Sequence, residues 1–469
     1  MGTFPPEIFR ITTLSHIDIS GNEDLHGSLP DFPLMNGSFH TIRVSRTNFS
    51  GGLPLSIGNM VNLSSLDLSY CNFSGTIPAT LFQLRELNDM DLSHNNFIGA
   101  IPSLSKAKKL TYLDLSANGL SGPISSSDQF EEMKSLYYID LSYNSISGSI
   151  PSSLFMIPSL NIVVLSNNLF SKLKEPIHVF SDQLYWLDLS CNNLSGSIPS
   201  FIFQLRGLSY LDLHNNKLSW RITPSIIQLS NLVILDLSSN KLSGPLPIDA
   251  LAQLENLSQL DLSFNKIDDV NVTHVVNSIF PQLVSLDLAY CNLKTFPGFL
   301  KYQSGLHYLN VSNNQIQGII PNWIWRLGNL FNLDVSHNFL TNFEGPLQNL
   351  TDEWNIIWLQ FNQLQGPIPV FLVSAAAVDF SNNNFSGVIP TDIGNYMSIT
   401  SYLSLANNNL DGTIPHSLCD ASVLQVLDLS RNKISGEVPH CLMKLGKNLG
   451  VLDLGSNKLT GHIPDSFPS

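Results

Sequence analysis

The apolar positions of the chain follow one unit, L-x-x-L-x-L-x-x-N-x-L-x-G-x-I-P, which recurs from one end to the other. The asparagine position returns nineteen times at spacings of 21 to 26 residues, most often 24. A period of this length predicts a solenoid, in which each unit packs against its two neighbours. The asparagine positions are Asn22, Thr47, Cys71, Asn95, Asn118, Asn144, Asn168, Asn192, Asn216, Asn240, Asn265, Cys291, Asn314, Asn338, Asn362, Asn383, Asn408, Asn432 and Asn457.

Each part of the unit predicts a local structure. The L-x-L pair alternates with period two, so it predicts a short strand with its leucines inward and the intervening residues outward. Stacked copies place these strands about 4.8 Å apart in a parallel sheet on a concave face. Mostly 3-10 or irregular structure is expected on the convex side. We therefore predict an α/β solenoid that forms one domain over residues 1–469.

The asparagine column is expected to face inward, where the side-chain amides can satisfy backbone groups at the bend. Cys71 and Cys291 stand in this column and are predicted to act there as small buried hydrophobes. The glycine permits a backbone conformation closed to other residues, and the Ile-Pro step adds a core side chain and a fixed φ. The repeat therefore predicts which positions face the core and which face the concave surface.

Charge and composition exclude several classes of function. The 469 residues are 43% hydrophobic and 13% charged, with a net charge of −14. A chain without a basic face is not expected to bind nucleic acid. No apolar run reaches the roughly 18 residues that span a bilayer, and the opening MGTFPPEIFR lacks the pattern of a signal peptide. We expect no direct membrane contact by this segment.

The repeats resemble the plant-specific leucine-rich repeat, for example in LDLSSNKLSGPLP (235–247) and LDLSRNKISGEVP (427–439). More narrowly, the chain resembles plant receptor-like proteins of the disease-resistance type. The closest stretches are GTFPPEIFRITTLSHIDIS, TNFSGGLPLSIGNMVNLSSLDLSYCNFSGTIP and SLCDASVLQVLDLSRNKISGEVPHCL. The resemblance implies a leucine-rich-repeat horseshoe that senses an extracellular peptide or microbial elicitor, in immunity or development. It also implies a place at the extracellular face of the plasma membrane and a receptor-kinase partner in the parent protein.

The sequence departs from that family pattern at several points. It lacks the signal peptide, both caps, the non-repeat island, the transmembrane helix and the tail, and it starts and ends on partial repeats. These features predict an ectodomain fragment. Two alternatives stay open: a soluble leucine-rich-repeat inhibitor of microbial cell-wall hydrolases, and a truncated gene product that does not signal.

One run of outward positions predicts a ligand site. The residue just before the L-x-L pair is aromatic or branched in six consecutive repeats, and strand pairing should stack these side chains into one stripe. Contiguous exposed apolar surface and tyrosine and tryptophan anchors are typical of interfaces, although strands also favour such residues for local reasons. The stripe comprises Tyr112, Tyr138, Ile162, Trp186, Tyr210 and Ile234, widened by Tyr137, Tyr185 and Val164. A weaker cluster is formed by Ile356, Trp358, Phe361 and Phe331.

The residue between the two strand leucines is aspartate in fourteen of the nineteen repeats. We expect a solvated, mutually repelling acidic stripe that attracts basic ligands; paired-carboxylate catalysis is the remote alternative. The aspartates are Asp18, Asp67, Asp91, Asp114, Asp140, Asp188, Asp212, Asp236, Asp261, Asp287, Asp334, Asp379, Asp428 and Asp453. Arg43, Val164, Asn310, Trp358 and Ser404 replace it in the remaining repeats.

Three further cysteines remain. Cys419 and Cys441 lie 22 residues apart at equivalent positions of adjacent repeats. Neighbouring repeats bring such positions near disulfide range, and the resemblance to a secreted family supports a bridge between them. Cys191 is expected to be exposed and unpaired. His416 and His440 stand beside the pair, but their spacing matches no standard zinc site, so no metal is expected.

Glycosylation is expected if the chain is secreted, because it contains ten N-x-S/T sequons. They begin at Asn36, Asn48, Asn62, Asn72, Asn193, Asn256, Asn271, Asn310, Asn349 and Asn384. A glycan on Asn310 would cover part of the concave face. The chain contains no nucleophile-elbow, zinc-protease, phosphate-loop or kinase motif, so we predict a binding protein without catalytic residues or a cofactor. His94, His214 and His337 are expected to be contact residues of the concave face.

Overall fold

The computed structural model describes residues 2–33, 38–124, 130, 132–176, 182–267, 280–345 and 354–461. They form two compact units, which are described separately below. The first unit comprises residues 1–242 and 253–257, and the second comprises residues 243–252 and 258–469.

In the first unit, the L-x-L segments form ten short parallel strands. Each strand pairs in register with the next, so equivalent positions of successive repeats lie side by side. We call the outward side of this sheet the first strand face. The strands are His16–Asp18, Thr41–Arg43, Ser65–Asp67, Asp89–Asp91, Tyr112–Asp114, Tyr138–Asp140, Ile162–Val164, Trp186–Asp188, Tyr210–Asp212 and Ile234–Asp236.

The second unit repeats this arrangement with nine parallel strands paired in the same register. Its outward side is the second strand face. The strands are Gln259–Asp261, Ser285–Asp287, Tyr308–Asn310, Asn332–Asp334, Ile356–Trp358, Ala377–Asp379, Tyr402–Ser404, Val426–Asp428 and Val451–Asp453.

Shorter strands and 3-10 helices form the rest of each repeat. In the first unit the secondary strands are Gly2–Thr3, Leu25–Gly27, Asn48–Gly51, Asn72–Thr76, Asn96–Gly99, Gly119–Pro123, Ser145–Ile150, Leu169–Leu173, Ser195–Gly196, Lys217–Trp220 and Lys241–Leu242. Among the described residues of this unit, 3-10 helices span Pro6–Arg10, Leu55–Asn59, Leu81–Gln83, Ser152–Met156, Ser200–Gln204 and Pro224–Gln228.

In the second unit the secondary strands are Gln317–Ile320, Phe339–Phe343, Gln365–Gly366, Asn384–Val388, Asn409–Asp411, Ser435–Gly436 and Lys458–Leu459. An α-helix spans Ile248–Leu251, and 3-10 helices span Gly298–Tyr302, Ile324–Arg326, Val370–Ser374, Ile393–Tyr396, His416–Asp420 and His440–Lys447. None of the helices in the described ranges is both long enough and apolar enough to cross a membrane. Parallel strands on one side and 3-10 turns on the other confirm the predicted solenoid fold.

The asparagine column joins successive repeats, as Asn95 illustrates. Its side-chain Nδ2 donates to the carbonyl oxygens of Leu68, Leu92 and Ser93 at 2.8, 3.2 and 3.0 Å, and its Oδ1 accepts from the backbone N–H of Phe73 at 2.9 Å. One buried amide therefore satisfies four backbone groups that would otherwise lose hydrogen bonds on leaving water.

Cysteine fills the same column in two repeats, as expected. The Sγ atoms of Cys71 and Cys291 lie 3.2 and 3.1 Å from the carbonyl oxygens of Val44 and Leu262. Both thiols are buried, and burial raises the pKa of the Cys291 thiol to about 12. Each cysteine therefore replaces the asparagine as a small buried side chain with a weak S–H donor.

Candidate ligand-binding face

The aromatic stripe of the first unit lies on a single line across the first strand face. Strand pairing places Tyr112 beside Tyr138, Tyr138 beside Ile162, and Ile162 beside Trp186. Trp186 in turn pairs with Tyr210, and Tyr210 with Ile234. All six side chains are half-buried. We define the aromatic stripe as these six residues, Tyr112, Tyr138, Ile162, Trp186, Tyr210 and Ile234.

The rings of the stripe form two parallel stacks separated by an isoleucine. The Tyr112 and Tyr138 centroids are 4.5 Å apart with an interplanar angle of 5°, and those of Trp186 and Tyr210 are 3.6 Å apart at 4°. In-register strands impose a separation of about 4.8 Å between equivalent positions, which matches the spacing of stacked rings. The rings are therefore ordered against one another before any ligand binds.

Each tyrosine of the stripe is also attached to the aspartate column. The hydroxyls of Tyr112, Tyr138 and Tyr210 donate to Oδ2 of Asp114, Asp140 and Asp212 at 3.4, 3.2 and 3.1 Å. Burial, followed by the adjacent carboxylates, raises the pKa of all three hydroxyls. The tyrosines are therefore neutral, with their hydroxyl ends turned to the carboxylates.

The residues predicted to widen the stripe lie where the sequence places them. Tyr137 and Tyr185, which precede the paired strands, expose 48% and 37% of their surface. Val164 occupies the aspartate column and pairs with Asp140 on one side and Asp188 on the other. The carboxylate row of the first strand face is therefore interrupted by one apolar side chain.

The prediction that the aspartates form a solvated stripe is wrong for Asp114 and Asp212. Asp114 and Asp212 are only 8% and 6% exposed. Oδ1 of Asp114 accepts from the backbone N–H and the hydroxyl of Ser116 at 2.9 and 2.6 Å, while its other oxygen accepts from Tyr112. These hydrogen bonds hold the carboxylate between the serine two residues later and the Tyr112 hydroxyl. Burial raises the pKa of Asp114 to about 6, although the Ser116 hydrogen bonds oppose the shift.

His214 brings a positive charge to one end of the stripe. Its Nδ1 lies 2.8 Å from Asp212 Oδ1 and 3.9 Å from Asp236 Oδ2. The Asp212 hydrogen bond outweighs burial and raises the pKa of His214 to about 9. The donor atoms of Asp212, His214 and Asp236 lie within 4.8 Å of one another, which is compatible with a metal ion. The proton that His214 holds at neutral pH would compete with such an ion.

Cys191 lies beside this cluster and is less exposed than predicted. It is half-buried and free, with a backbone φ of 50°. Its Sγ lies 3.4 Å from His214 Nε2 and accepts a hydrogen bond from Asn215 Nδ2 at the same distance. The turn before the asparagine column aims the thiol at the imidazole, which explains its partial burial.

A polar cavity of about 610 Å³ adjoins the stripe at Tyr112. Arg43, which replaces an aspartate, lies in this cavity between Asp18 and Asp67, with which it pairs in register. The other lining residues are Ser20, Asn88, Asp89, Asp91 and Thr111. The first strand face therefore offers a charged cavity next to an apolar stripe.

The weaker cluster of the second unit is less continuous. Trp358 meets Tyr402 edge-on at 5.7 Å, and Phe361 stacks on His337 at 4.2 Å. Ile356 is half-buried beside Trp358, and Phe331 is 45% exposed. The rings form separate pairs, so they do not make a stripe like that of the first unit.

Sequence reasoning missed a second aromatic row at the turn before the asparagine column. In the first unit Arg46 lies 5.0 Å over the Tyr70 ring, and Tyr70 stacks on His94 at 3.9 Å. In the second unit Phe264 stacks on Tyr290 at 4.4 Å. These residues have φ near 50°, which turns their side chains toward one another. The signal was present in the sequence as aromatic letters directly before Asn or Cys.

The predicted modification sites have different surroundings. Cys419 and Cys441 form a disulfide with a Cα–Cα distance of 5.6 Å. Among the sequons, Asn62, Asn72, Asn256 and Asn384 are exposed, while Asn48, Asn193 and Asn310 are half-buried. Asn36, Asn271 and Asn349 lie outside the described residues. Asn310 Nδ2 donates to Asp287 Oδ2 at 2.9 Å, so a glycan there would leave a single Nδ2 hydrogen to make that bond.

Family models for the leucine-rich repeat match more than half of the chain. The first model matches residues 59–120 and 281–340, and the second, also described as a leucine-rich repeat, matches residues 253–270. The third matches residues 135–156, 183–205, 207–229, 231–251, 377–396, 400–421, 423–445 and 448–469. The chain therefore belongs to the leucine-rich-repeat family.

Within that family, the chain is similar to plant receptor-like proteins, which confirms the resemblance seen in its repeats. It is 36% identical over 156 residues to Receptor-like protein 7 of Arabidopsis thaliana, covering 32% of this chain and 15% of that protein. It is 40% identical over 111 residues to Receptor-like protein 47 of the same plant, and this match covers 23% of this chain and 14% of that protein. Each match thus spans less than a fifth of the relative.

Solved plant receptor ectodomains match nearly the whole chain. The plant peptide hormone receptor RGFR1, in complex with RGF2, superposes with a TM-score of 0.84 at 27% identity, covering 99% of this chain and 78% of the receptor. The Arabidopsis receptor kinase HAESA, in complex with the peptide hormone IDA and the co-receptor SERK1, gives a TM-score of 0.74 at 30% identity. This match covers 99% of this chain and 73% of the HAESA chain.

Proposed function

We propose that this chain is a ligand-recognition segment of a plant cell-surface receptor-like protein, and that the aromatic stripe anchors an extracellular peptide or protein. The observation that carries the proposal is the pair of ordered ring stacks on the first strand face. Rigid, half-exposed aromatic side chains gain contact area at a low cost in conformational entropy, which makes them effective anchors.

The chemistry of the face favours an extended ligand with apolar and basic groups. Apolar side chains would lie against Ile162 and the outward edges of the two ring stacks. Basic groups would approach the carboxylates, which are partly desolvated and therefore gain more from a cation than solvated ones do. His214 neutralises part of this charge beside Asp212, and Asp114 is buried, so the stronger acidic attraction lies toward Asp140, which is half-buried.

The comparisons support an extracellular setting and a second protein. The related structures of RGFR1 and HAESA contain peptide hormones, and that of HAESA also contains a co-receptor. By analogy, the longer protein to which this segment belongs would act outside the plasma membrane, bind a peptide in defence or development, and signal through a receptor-kinase partner. Binding, not catalysis, is the role proposed for the segment itself.

A binding experiment with defined peptides tests the proposal. A library of synthetic 12-residue peptides is screened against the chain, and the tightest binder is measured by calorimetry. The variant Tyr138→Ala/Trp186→Ala/Tyr210→Ala is expected to bind this peptide more than roughly tenfold less tightly. Tyr308 occupies the equivalent position of the second unit, so Tyr308→Ala is the matched control and should leave the affinity unchanged. The proposal would be refuted if the wild type, the triple variant and Tyr308→Ala all bound the peptide with equal affinity and had the same circular dichroism spectrum.

A further inference from the structure

Trp220 occupies an unusual backbone position away from the strand faces. It ends the secondary strand Lys217–Trp220, and its side chain is 70% exposed. Its φ of 73° lies in the left-handed region, where a β-carbon crowds the backbone and glycine is favoured. A large aromatic residue in this conformation destabilises the fold, and so little of its surface is buried that packing cannot offset the cost.

The repeat shows that this position normally belongs to glycine. Trp220 stands four residues after Asn216, in the glycine column of the unit. In the described part of the chain, every other member of this column with a positive φ is glycine. These residues are Gly51, Gly75, Gly99, Gly122, Gly148, Gly196, Gly244, Gly318, Gly366, Gly387, Gly412, Gly436 and Gly461. An exposed, strained residue that departs from a repeat in this way indicates function.

The surroundings of Trp220 are basic, in contrast to the chain as a whole. Lys217, Arg221 and Lys241 are exposed, and strand pairing places Lys241 beside Ser219 and Leu242 beside Trp220. Residues 193–199, 217–223 and 241–242 contain no aspartate or glutamate, although the net charge of the chain is −14. Three exposed cations therefore lie on the same or the paired strand segment as Trp220, and these segments contain no acidic side chain to neutralise them.

We propose that Trp220, Lys217, Arg221 and Lys241 form a docking surface, the Trp220 patch, for a partner protein with an acidic segment that carries an apolar residue. An exposed tryptophan is among the residues that contribute most to protein interfaces. Neighbouring cations select an acidic partner and raise its association rate. The patch is opposite in charge to the aspartate column, so the two surfaces select different partners and this inference does not depend on the proposed function.

The experiment measures both binding and stability. A library of synthetic 12-residue peptides rich in Asp and Glu, each with one Leu or Phe, is screened against the chain, and the tightest binder is measured by calorimetry. Trp220→Gly and Lys217→Glu/Lys241→Glu are each expected to weaken binding more than roughly tenfold. Lys433→Glu/Lys458→Glu is the matched control, because these exposed lysines follow the repeat asparagine in the second unit just as Lys217 and Lys241 do in the first. Trp220→Gly should also raise the urea midpoint of unfolding, because glycine relieves the strained φ.

Several results would overturn the proposal. The docking role would be refuted if no acidic peptide bound the chain. It would also be refuted if the tightest peptide bound the wild type and Trp220→Gly with equal affinity. A lower urea midpoint for Trp220→Gly would show that the indole packs against the fold. Binding to phosphatidylserine vesicles but not to peptides would identify a membrane surface instead. Self-association that Trp220→Gly abolishes would identify a second copy of the chain as the occupant.

Discussion

Asp18 and Asp114 occupy the same column and accept the same two hydrogen bonds from a following serine, but they differ in burial. Oδ1 of each accepts from the backbone N–H and the hydroxyl of the serine two residues later: 3.0 and 2.6 Å for Asp18, 2.9 and 2.6 Å for Asp114. Asp18 is exposed, and the Ser20 hydrogen bonds lower its pKa. Asp114 is buried, and desolvation raises its pKa from 3.8 to about 6. Burial therefore outweighs, at Asp114, the serine hydrogen bonds that lower the pKa of Asp18.

Replacing each aspartate by asparagine should change the pH dependence of stability in opposite directions. For Asp114 the raised pKa stabilises the folded state below pH 3.8, and that stability is lost as the pH rises through about 6. A shift of about two units corresponds to about 3 kcal/mol. As the pH rises from roughly 3.5 to 7, the unfolding free energy of Asp114→Asn should therefore increase by about 3 kcal/mol relative to that of the wild type. For Asp18 the lowered pKa gives stability that is present above pH 3.8 and is lost as the pH falls through the folded-state pKa below that value. Asp18→Asn should therefore lose relative stability as the pH rises toward 3.8, in a window that lies below that of Asp114.

Urea denaturation at closely spaced pH values, followed by circular dichroism, measures both changes against the wild type. The informative quantity is the difference in unfolding free energy between each variant and the wild type, because terms shared by the two proteins cancel. If both variants changed in the same direction, or if Asp114→Asn followed the wild-type profile, desolvation would not be the dominant influence on the central aspartates.

Three further predictions concern the asparagine column, the histidine cluster and the disulfide. Asn95→Leu removes the amide that pairs with three backbone carbonyls and one backbone N–H. The Leu92 and Ser93 carbonyls keep other donors, so the loss falls on the Leu68 carbonyl and the Phe73 N–H. Urea unfolding should show a loss of about 3 kcal/mol, whereas Ala at the exposed Asn96 should cost little. The raised pKa of His214 gives stability that is present below pH 6.5 and is lost as the pH rises through about 9. His214→Gln should abolish that loss in thermal melts taken between these two pH values. A pH profile unchanged from that of the wild type would contradict the ion pair. Reducing the disulfide of Cys419 and Cys441, or replacing both cysteines by serine, should lower the unfolding free energy by about 3 kcal/mol, and equal urea midpoints with and without reductant would contradict this.

The fold and the line of the stripe could be predicted because both follow from periodicity. The repeat determines strand register, and register alone places Trp186 beside Tyr210. The burial of Asp114 could not be predicted in this way, since it depends on how the hydroxyls of Ser116 and Tyr112 both donate to one carboxylate. The orientation of Cys191 likewise depends on a left-handed turn. Outward positions are identified by sequence pattern, but their solvation is determined by neighbouring side chains.

The central claim is that the aromatic stripe binds the ligand, and hydroxyl-radical footprinting tests it most directly. The chain is oxidised with and without a saturating amount of the tightest peptide from the library, and the modification of each aromatic residue is measured by mass spectrometry. The account predicts that Tyr138, Trp186 and Tyr210 are protected in the complex while Tyr308 is oxidised equally in both states. Protection of Tyr308 with no change in the three stripe residues would contradict the claim.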